Sequence, residues 1–252
     1  MEVQINGHQV YYETDGPKDG KPVVLLHHGI GSTYSWKGQI SALASAGYRV
    51  YAYDRWGYGK SSYRAGIDMP NFSSDLLDLE SLLDMLGLGK TTLVGHSDGG
   101  TIALYFAAFQ PERVCALVSA AAHIYVEATM VPGIEVVRES YERDERFRKG
   151  LERLHGENTE RAFVNWYEGW TANPANREWD MRPVLRQIQC PALIIQGVED
   201  EHATPQHARD IAEAIPGAEL WLMENAGHML PQDFPEAFNQ RVIAFLREAV
   251  DC

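Results

Sequence analysis

Ser97 stands in the stretch Gly95-His96-Ser97-Asp98-Gly99-Gly100, after a strand-like apolar run (Thr91 to Val94) and before a helix-like one (Thr101 to Phe109). A serine at so tight a strand-to-helix turn needs small neighbours, which Gly95 and Gly99 supply. The turn holds the hydroxyl at the positive end of the helix, where negative charge on oxygen is favoured. A serine hydroxyl is a weak nucleophile until a base removes its proton, and the usual base is a histidine oriented by a carboxylate. Nine histidines are available. His228 lies just past a predicted strand, after Gly227, and Asp200 lies just past another, in a turn led by Gly197. The ends of parallel strands open on one sheet edge, so Ser97, Asp200 and His228 can converge although they are far apart in sequence. An ordinary Gly-rich turn has the same five-residue pattern. The candidate base and acid, in the order Ser, Asp, His, favour nucleophilic acyl chemistry.

The elements that must position these residues follow the hydrophobic pattern. Val3 to Ile5 and Gln9 to Tyr12, joined at Asn6-Gly7, predict an opening hairpin. Pro22 to Leu26 is continuously apolar, as expected of a strand buried on both faces. A helix from about Ser35 to Ala46 and a strand from Arg49 to Tyr53 come next. Ser73 is placed as the N-cap of a helix carrying Leu76, Leu79, Leu83 and Leu86, with Gly87 as its stop. Val114 to Val118 is a further buried strand. This alternation predicts an α/β fold with a mostly parallel central sheet and helices on both faces. The rhythm breaks between Ile124 and Gln189, where three amphipathic helical patterns appear: Ile134/Val137/Tyr141, Phe147/Leu151/Leu154 and Phe163/Tyr167/Trp170. The division expected is a core of residues 1–122 and 190–252 with a helical lid over 123–189, roofing the carboxyl edge where such sheets bind ligands. Strands at Pro191–Gln196 and Glu219–Met223, a helix over Pro205–Ala214 and a last helix starting near Asp233 and Pro235 complete the pattern.

The chain has 252 residues, 45% of them hydrophobic, and a formal net charge of −13. That is enough for one sizeable core. The charge argues against nucleic acid, anionic membranes and acidic substrates as main partners and suits neutral or cationic small molecules. Cys115, Cys190 and Cys252 have no metal-ligand spacing and predict no disulfide framework; Cys115 and Cys190 read as buried thiols. No apolar run reaches membrane-span length, and the N-terminus reads as a strand rather than a signal peptide, so a cytoplasmic protein is expected.

Five segments, HHGIG (27–31), DRWGYGKSS (54–62), GHSDGG (95–100), GVEDEHATP (197–205) and NAGH (225–228), resemble the α/β-hydrolases in order and spacing over essentially the whole chain. The resemblance implies that Ser97 is the nucleophile, His228 the base and Asp200 the acid, preferred over Glu199 and Glu201 because the family's acid usually sits three residues after the glycine. It also implies that the backbone N–H groups of Ile30 and Asp98 form the oxyanion hole, that no metal or organic cofactor is required, and that His28 and Asp54 are structural. The expected activity is hydrolysis of small-molecule carboxylic esters through an acyl-enzyme. Lactonase, carbon–carbon bond hydrolase and cofactor-free haloperoxidase chemistry share this triad, and a non-catalytic ligand receptor shares the fold. Members that hydrolyse haloalkanes or epoxides use an aspartate nucleophile, which Ser97 argues against.

Asp98 admits two roles. As an acid in the first turn of a helix it is stabilised by the dipole. Alternatively its carboxylate faces the pocket and receives an ammonium group; valacyclovir-hydrolase-like members have a similar Ser-Asp-Gly-Gly and favour amino-acid esters. His123 ends a strand and can reach the pocket. Trp166, Tyr167 and Trp170 either pack within the helical insertion or line an apolar acyl or alcohol site.

Overall fold

The computed structural model describes residues 1–249. Its sheet has eight strands: β1 (Glu2–Ile5), β2 (His8–Asp15), β3 (Pro22–Leu26), β4 (Arg49–Tyr53), β5 (Thr91–His96), β6 (Val114–Ala120), β7 (Ala192–Gly197) and β8 (Glu219–Met223). Their spatial order is β1-β2-β4-β3-β5-β6-β7-β8. β1 and β2 pair antiparallel and β2 joins β4 antiparallel, while all pairings from β4 through β8 are parallel. The Asn6-Gly7 hairpin forms as expected, both residues having positive φ (47° and 85°). β2 runs on to Asp15 because its second half pairs with β4.

The central strands are apolar throughout because helices cover both faces. Val24, Leu26, Leu93, Leu117 and Ile194 pack on one side with α2 (Ser73–Met85) and α3 (Asp98–Phe109). Val23, Leu25, Val94, Val118 and Ile195 pack on the other with α1 (Lys37–Ser45) and α10 (Pro235–Glu248). Between β6 and β7 come α4 (Met130–Arg143), α5 (Glu145–His155), α6 (Thr159–Thr171) and the short α7 (Arg182–Leu185). The three helical patterns of the sequence fall on α4, α5 and α6, whereas α7 is too short to leave a periodic signal. α8 (Pro205–Ala214) follows β7, and a short α9 (Leu230–Asp233) precedes α10. The interposed helices share a small core of Leu151 and Phe163 with Ile30 of the sheet's edge, so they pack directly over the β3 loop.

Two local expectations are corrected. Ser73 does not cap α2. It is the first helical residue, and Phe72 takes the cap position with φ 53°. The carboxylate that holds the first turn belongs to Asp68, which accepts from Ser74 N at 2.7 Å. Cys115 is disulfide-bonded and half-buried rather than a buried thiol. Cys190 is free and buried, and Cys252 lies outside the described residues. Among the described residues no helix is long and apolar enough to cross a membrane.

Candidate active site

The chain leaves β3 to form β4 on one side, then returns to form β5 on the other. The crevice at such a reversal is where open α/β sheets bind ligands. The loop with Ile30 follows β3 and the Ser97 turn follows β5, so both stand at this point. His123, Asp200 and His228 follow β6, β7 and β8 on the same edge.

Ser97 has φ 55° and ψ −122°, a conformation that L-residues rarely adopt. Bare glycines permit it. A Cβ on Gly95 would lie 2.2 Å from the Gly99 carbonyl oxygen, and one on Gly99 would lie 2.1 Å from that of Leu26. Ser97 N donates to Ala120 O at 2.8 Å, fixing the turn to the neighbouring strand end.

Ser97 Oγ lies 2.9 Å from His228 Nε2, and His228 Nδ1 lies 2.8 Å from Asp200 Oδ2. A carboxylate only accepts, so Nδ1 carries the proton and the Nε2 lone pair faces the serine. Asp200 is held on all sides. Its Oδ1 accepts from the N–H groups of His202 (2.8 Å) and Ala203 (3.0 Å), and its Oδ2 also accepts from Gln196 Nε2 at 2.6 Å. Burial opposes its charge, but the His228 ring and these donors hold the carboxyl well below the usual carboxylate range. Burial likewise pushes the His228 pKa down, yet the Asp200 charge and hydrogen bond leave it raised. The rivals take other roles: Glu199 N donates to Ala226 O, and the Glu201 carboxylate faces His202 at 3.6 Å. Ser97 is only 6% exposed beneath the interposed helices. Two surface cavities, of about 450 and 550 Å³, lie elsewhere and are lined by none of Ser97, Asp200 and His228.

The backbone N–H groups of Ile30 and Asp98 have no acceptor among the described residues. The Asp98 side chain is 1% exposed, and its Oδ2 is buried without a hydrogen-bond partner. Burial lifts this carboxyl to about 6; the Arg55 charge opposes the lift and Asp75 adds to it. Arg55 Nη2 stands 3.6 Å from Asp98 Oδ2. Trp166 closes over the same spot, since a Cβ on Gly29 would lie 2.2 Å from the Trp166 Nε1 atom and 3.0 Å from Asp98 Oδ2.

His123 and Trp170 sit at the site. The His123 ring is 5.9 Å from that of His228 and 5.7 Å from that of Trp170. His123 Nε2 donates to His202 O at 3.1 Å, leaving Nδ1 buried and unpartnered. Tyr167 turns its hydroxyl to Glu135 at 2.6 Å, tying α6 to α4. Asp54 and His28 make structural contacts. Asp54 accepts from Thr33 N and Lys60 N at 2.6 and 2.8 Å, and His28 Nε2 lies 3.2 Å from Ser35 Oγ.

Four residues of the site escaped the sequence reading. Gln196 braces Asp200. His96 donates from Nε2 to His228 O at 2.8 Å, joining the residue before the serine to the histidine loop. His155 of α5 accepts from Gly59 N and donates to Ile30 O at 3.0 Å. Arg55 is wholly buried among His28, Gly29, Asp75 and Asp98. Arg55 and His96 lay inside matched segments, where a buried arginine and a histidine beside the serine were signals; His155 and Gln196 gave none.

Residues 23–241 match the model of the alpha/beta hydrolase family. The chain is 33% identical to the human serine hydrolase BPHL, covering 97% of this chain and 85% of that protein. It is 31% identical to a non-heme chloroperoxidase of Streptomyces lividans, covering 96% and 97% respectively. In structure it is similar to the enol-lactonase from Burkholderia xenovorans, with TM-score 0.80, 23% identity, and coverage of 98% of this chain and all of that one. Sheet order, the serine turn at the topological reversal and the whole-length similarity agree: this chain belongs to the alpha/beta hydrolase family.

Proposed function

We propose that the protein hydrolyses carboxylic esters of small molecules through an acyl-enzyme, with Ser97 as nucleophile, His228 as general base and Asp200 as the orienting acid. The observation that carries this reading is the unbroken chain of short contacts Ser97–His228–Asp200. Ser97 attacks the ester carbonyl carbon as its proton passes to His228 Nε2. The carbonyl electrons move to oxygen, and the N–H groups of Ile30 and Asp98 stabilise the oxyanion. The leaving alcohol takes the proton from His228; water, deprotonated by His228, then releases the acid. The helices over residues 123–189 act as a lid that keeps the charged intermediates away from bulk water. Mixing the protein with p-nitrophenyl acetate tests the scheme: a burst of nitrophenol stoichiometric with protein, followed by slower turnover, is expected. No nitrophenol release above the spontaneous rate, together with no ring opening on a lactone panel, would sink it.

The buried Asp98 Oδ2, which has no hydrogen-bond partner and stands 3.6 Å from Arg55 Nη2, favours one substrate class, esters that bear an α-ammonium group. A charged hydrogen bond to that oxygen contributes about 2 kcal/mol, or a preference of ~30-fold in kcat/KM over the N-acetyl form. Asp98→Asn is expected to abolish the preference while N-acetyl esters are cleaved nearly as before. Because burial lifts the Asp98 carboxyl to about 6, the preference fades as pH falls through that value. His228 protonation slows both substrates equally and cancels in the ratio. At the alkaline end the ratio drops again as the substrate ammonium, near pKa ~7.7–8.0, deprotonates. A ratio flat from pH 5 to 7 would exclude this specificity.

A further inference from the structure

We infer that Arg55 is a positioning residue that holds the oxyanion hole open by fixing the peptide between Gly29 and Ile30. The inference rests on the hydrolase reading above, because the Ile30 N–H matters only if an oxyanion forms there. The Gly29 carbonyl and the Ile30 N–H belong to one planar trans peptide, so they point in opposite directions. Arg55 Nη2 donates to Gly29 O at 3.5 Å and is the one donor to that oxygen among the described residues. While Arg55 holds the oxygen, the Ile30 N–H faces away from the guanidinium. A glycine on one side of the peptide makes rotation of that plane easy, so the orientation needs an outside restraint.

The neighbouring carbonyls of the loop, unlike that of Gly29, have further donors. His28 O accepts from His27 Nδ1 (2.7 Å), Gly31 N (3.1 Å) and Arg55 Nη2 (3.4 Å), and Ile30 O accepts from His155. The same Nη2 faces Asp98, whose own N–H is the second donor of the hole. One nitrogen therefore ties together both arms. Its position is set by a buried series of charges: Arg55 Nη1 meets Asp75 Oδ1 at 3.2 Å, and Arg64 Nη1 meets Asp75 Oδ2 at 2.8 Å. Beneath it the Tyr58 ring lies 4.8 Å from the guanidinium carbon. Arg55 Nε is buried without a partner. A buried cation left incompletely satisfied is a poor stabilising device, which points to the orientation it enforces.

The test compares wild type, Arg55→Met and Arg55→Lys on p-nitrophenyl acetate, which has no amine for Asp98 to bind. A phenyl trifluoromethyl ketone is the second probe, since its adduct with Ser97 bears the oxyanion. For Arg55→Met, kcat is expected to fall about 10²-fold with KM moving less than about threefold, and the ketone's inhibition constant to rise in parallel with the loss in kcat. Removing a buried cation can unfold the chain, so Arg55→Lys is measured alongside. It keeps the charge between Asp75 and Asp98 but offers one nitrogen where the planar fork offers two. Its kcat is expected to drop at least about tenfold with KM and melting temperature close to wild type. Wild-type kcat and ketone affinity in Arg55→Lys, or in a folded Arg55→Met, would overturn the inference. So would a loss confined to KM. A wild-type protein with no esterase activity would overturn the hydrolase reading itself, and with it the role of the hole.

Discussion

Ser97→Ala is expected to eliminate the nitrophenol burst and to lower kcat on p-nitrophenyl acetate by at least ~10⁴-fold, leaving the fold intact. Removing the nucleophile ends acyl-enzyme formation, so what remains is the catalysis that the oxyanion hole and binding lend to direct attack by water. The loss is chemical rather than structural. Ser97 holds its φ of 55° through the backbone: its N–H donates to Ala120 O and its carbonyl accepts from Thr101 N at 3.0 Å. Alanine keeps both bonds and bears the same backbone strain. Active-site titration with a fluorophosphonate, alongside a thermal melt, checks both halves. Turnover within tenfold of wild type in the folded variant would falsify the assignment of the nucleophile.

The second large effect concerns Asp200. Two backbone N–H groups, from His202 and Ala203, point at Oδ1, so an asparagine here must place its carbonyl oxygen at that position. Its NH₂ then faces His228 Nδ1. Donation from that NH₂ forces the imidazole into the tautomer protonated on Nε2, which cannot accept the Ser97 proton. Asp200→Asn is therefore expected to cost about 10⁴-fold in kcat with little change in KM. The pH profile adds a second readout. His228 must be neutral to act as base, so kcat/KM falls as pH drops through its pKa in the free enzyme. Asp200 raises that pKa against burial; without the carboxylate, burial acts alone and the acid limb of the residual activity moves to lower pH. An acid limb that stays in place would show that Asp200 does not set the His228 titration.

Much of this arrangement is legible in the chain because it is local. The apolar runs that became β3, β5 and β7 are buried on both faces, and that pattern needs no knowledge of the partner. The serine turn is written in Gly95 and Gly99, since a Cβ at either would collide with backbone. Ser73 has the chemistry of an N-cap but stands one residue too late; Phe72 occupies the cap with positive φ, and Asp68, on the preceding loop, supplies the carboxylate. The disulfide of Cys115 has no signature in the cysteine spacing.

The division follows from how each kind of information is stored. Periodicity and turn glycines reside in near neighbours, and the order Ser, Asp, His is read directly along the chain, so the sequence by itself determined the fold class, the strand ends and the three residues most able to do chemistry. What Asp98 faces, which peptide Arg55 holds and how His96 braces the His228 loop depend on contacts between residues far apart in the chain. Burial decided those. It made a first-turn acid a buried carboxyl with a pKa near 6 that faces a buried arginine, and it turned a loop arginine into the one donor to Gly29 O among the described residues. Desolvation is a property of the assembled core, and only the tertiary structure contains it.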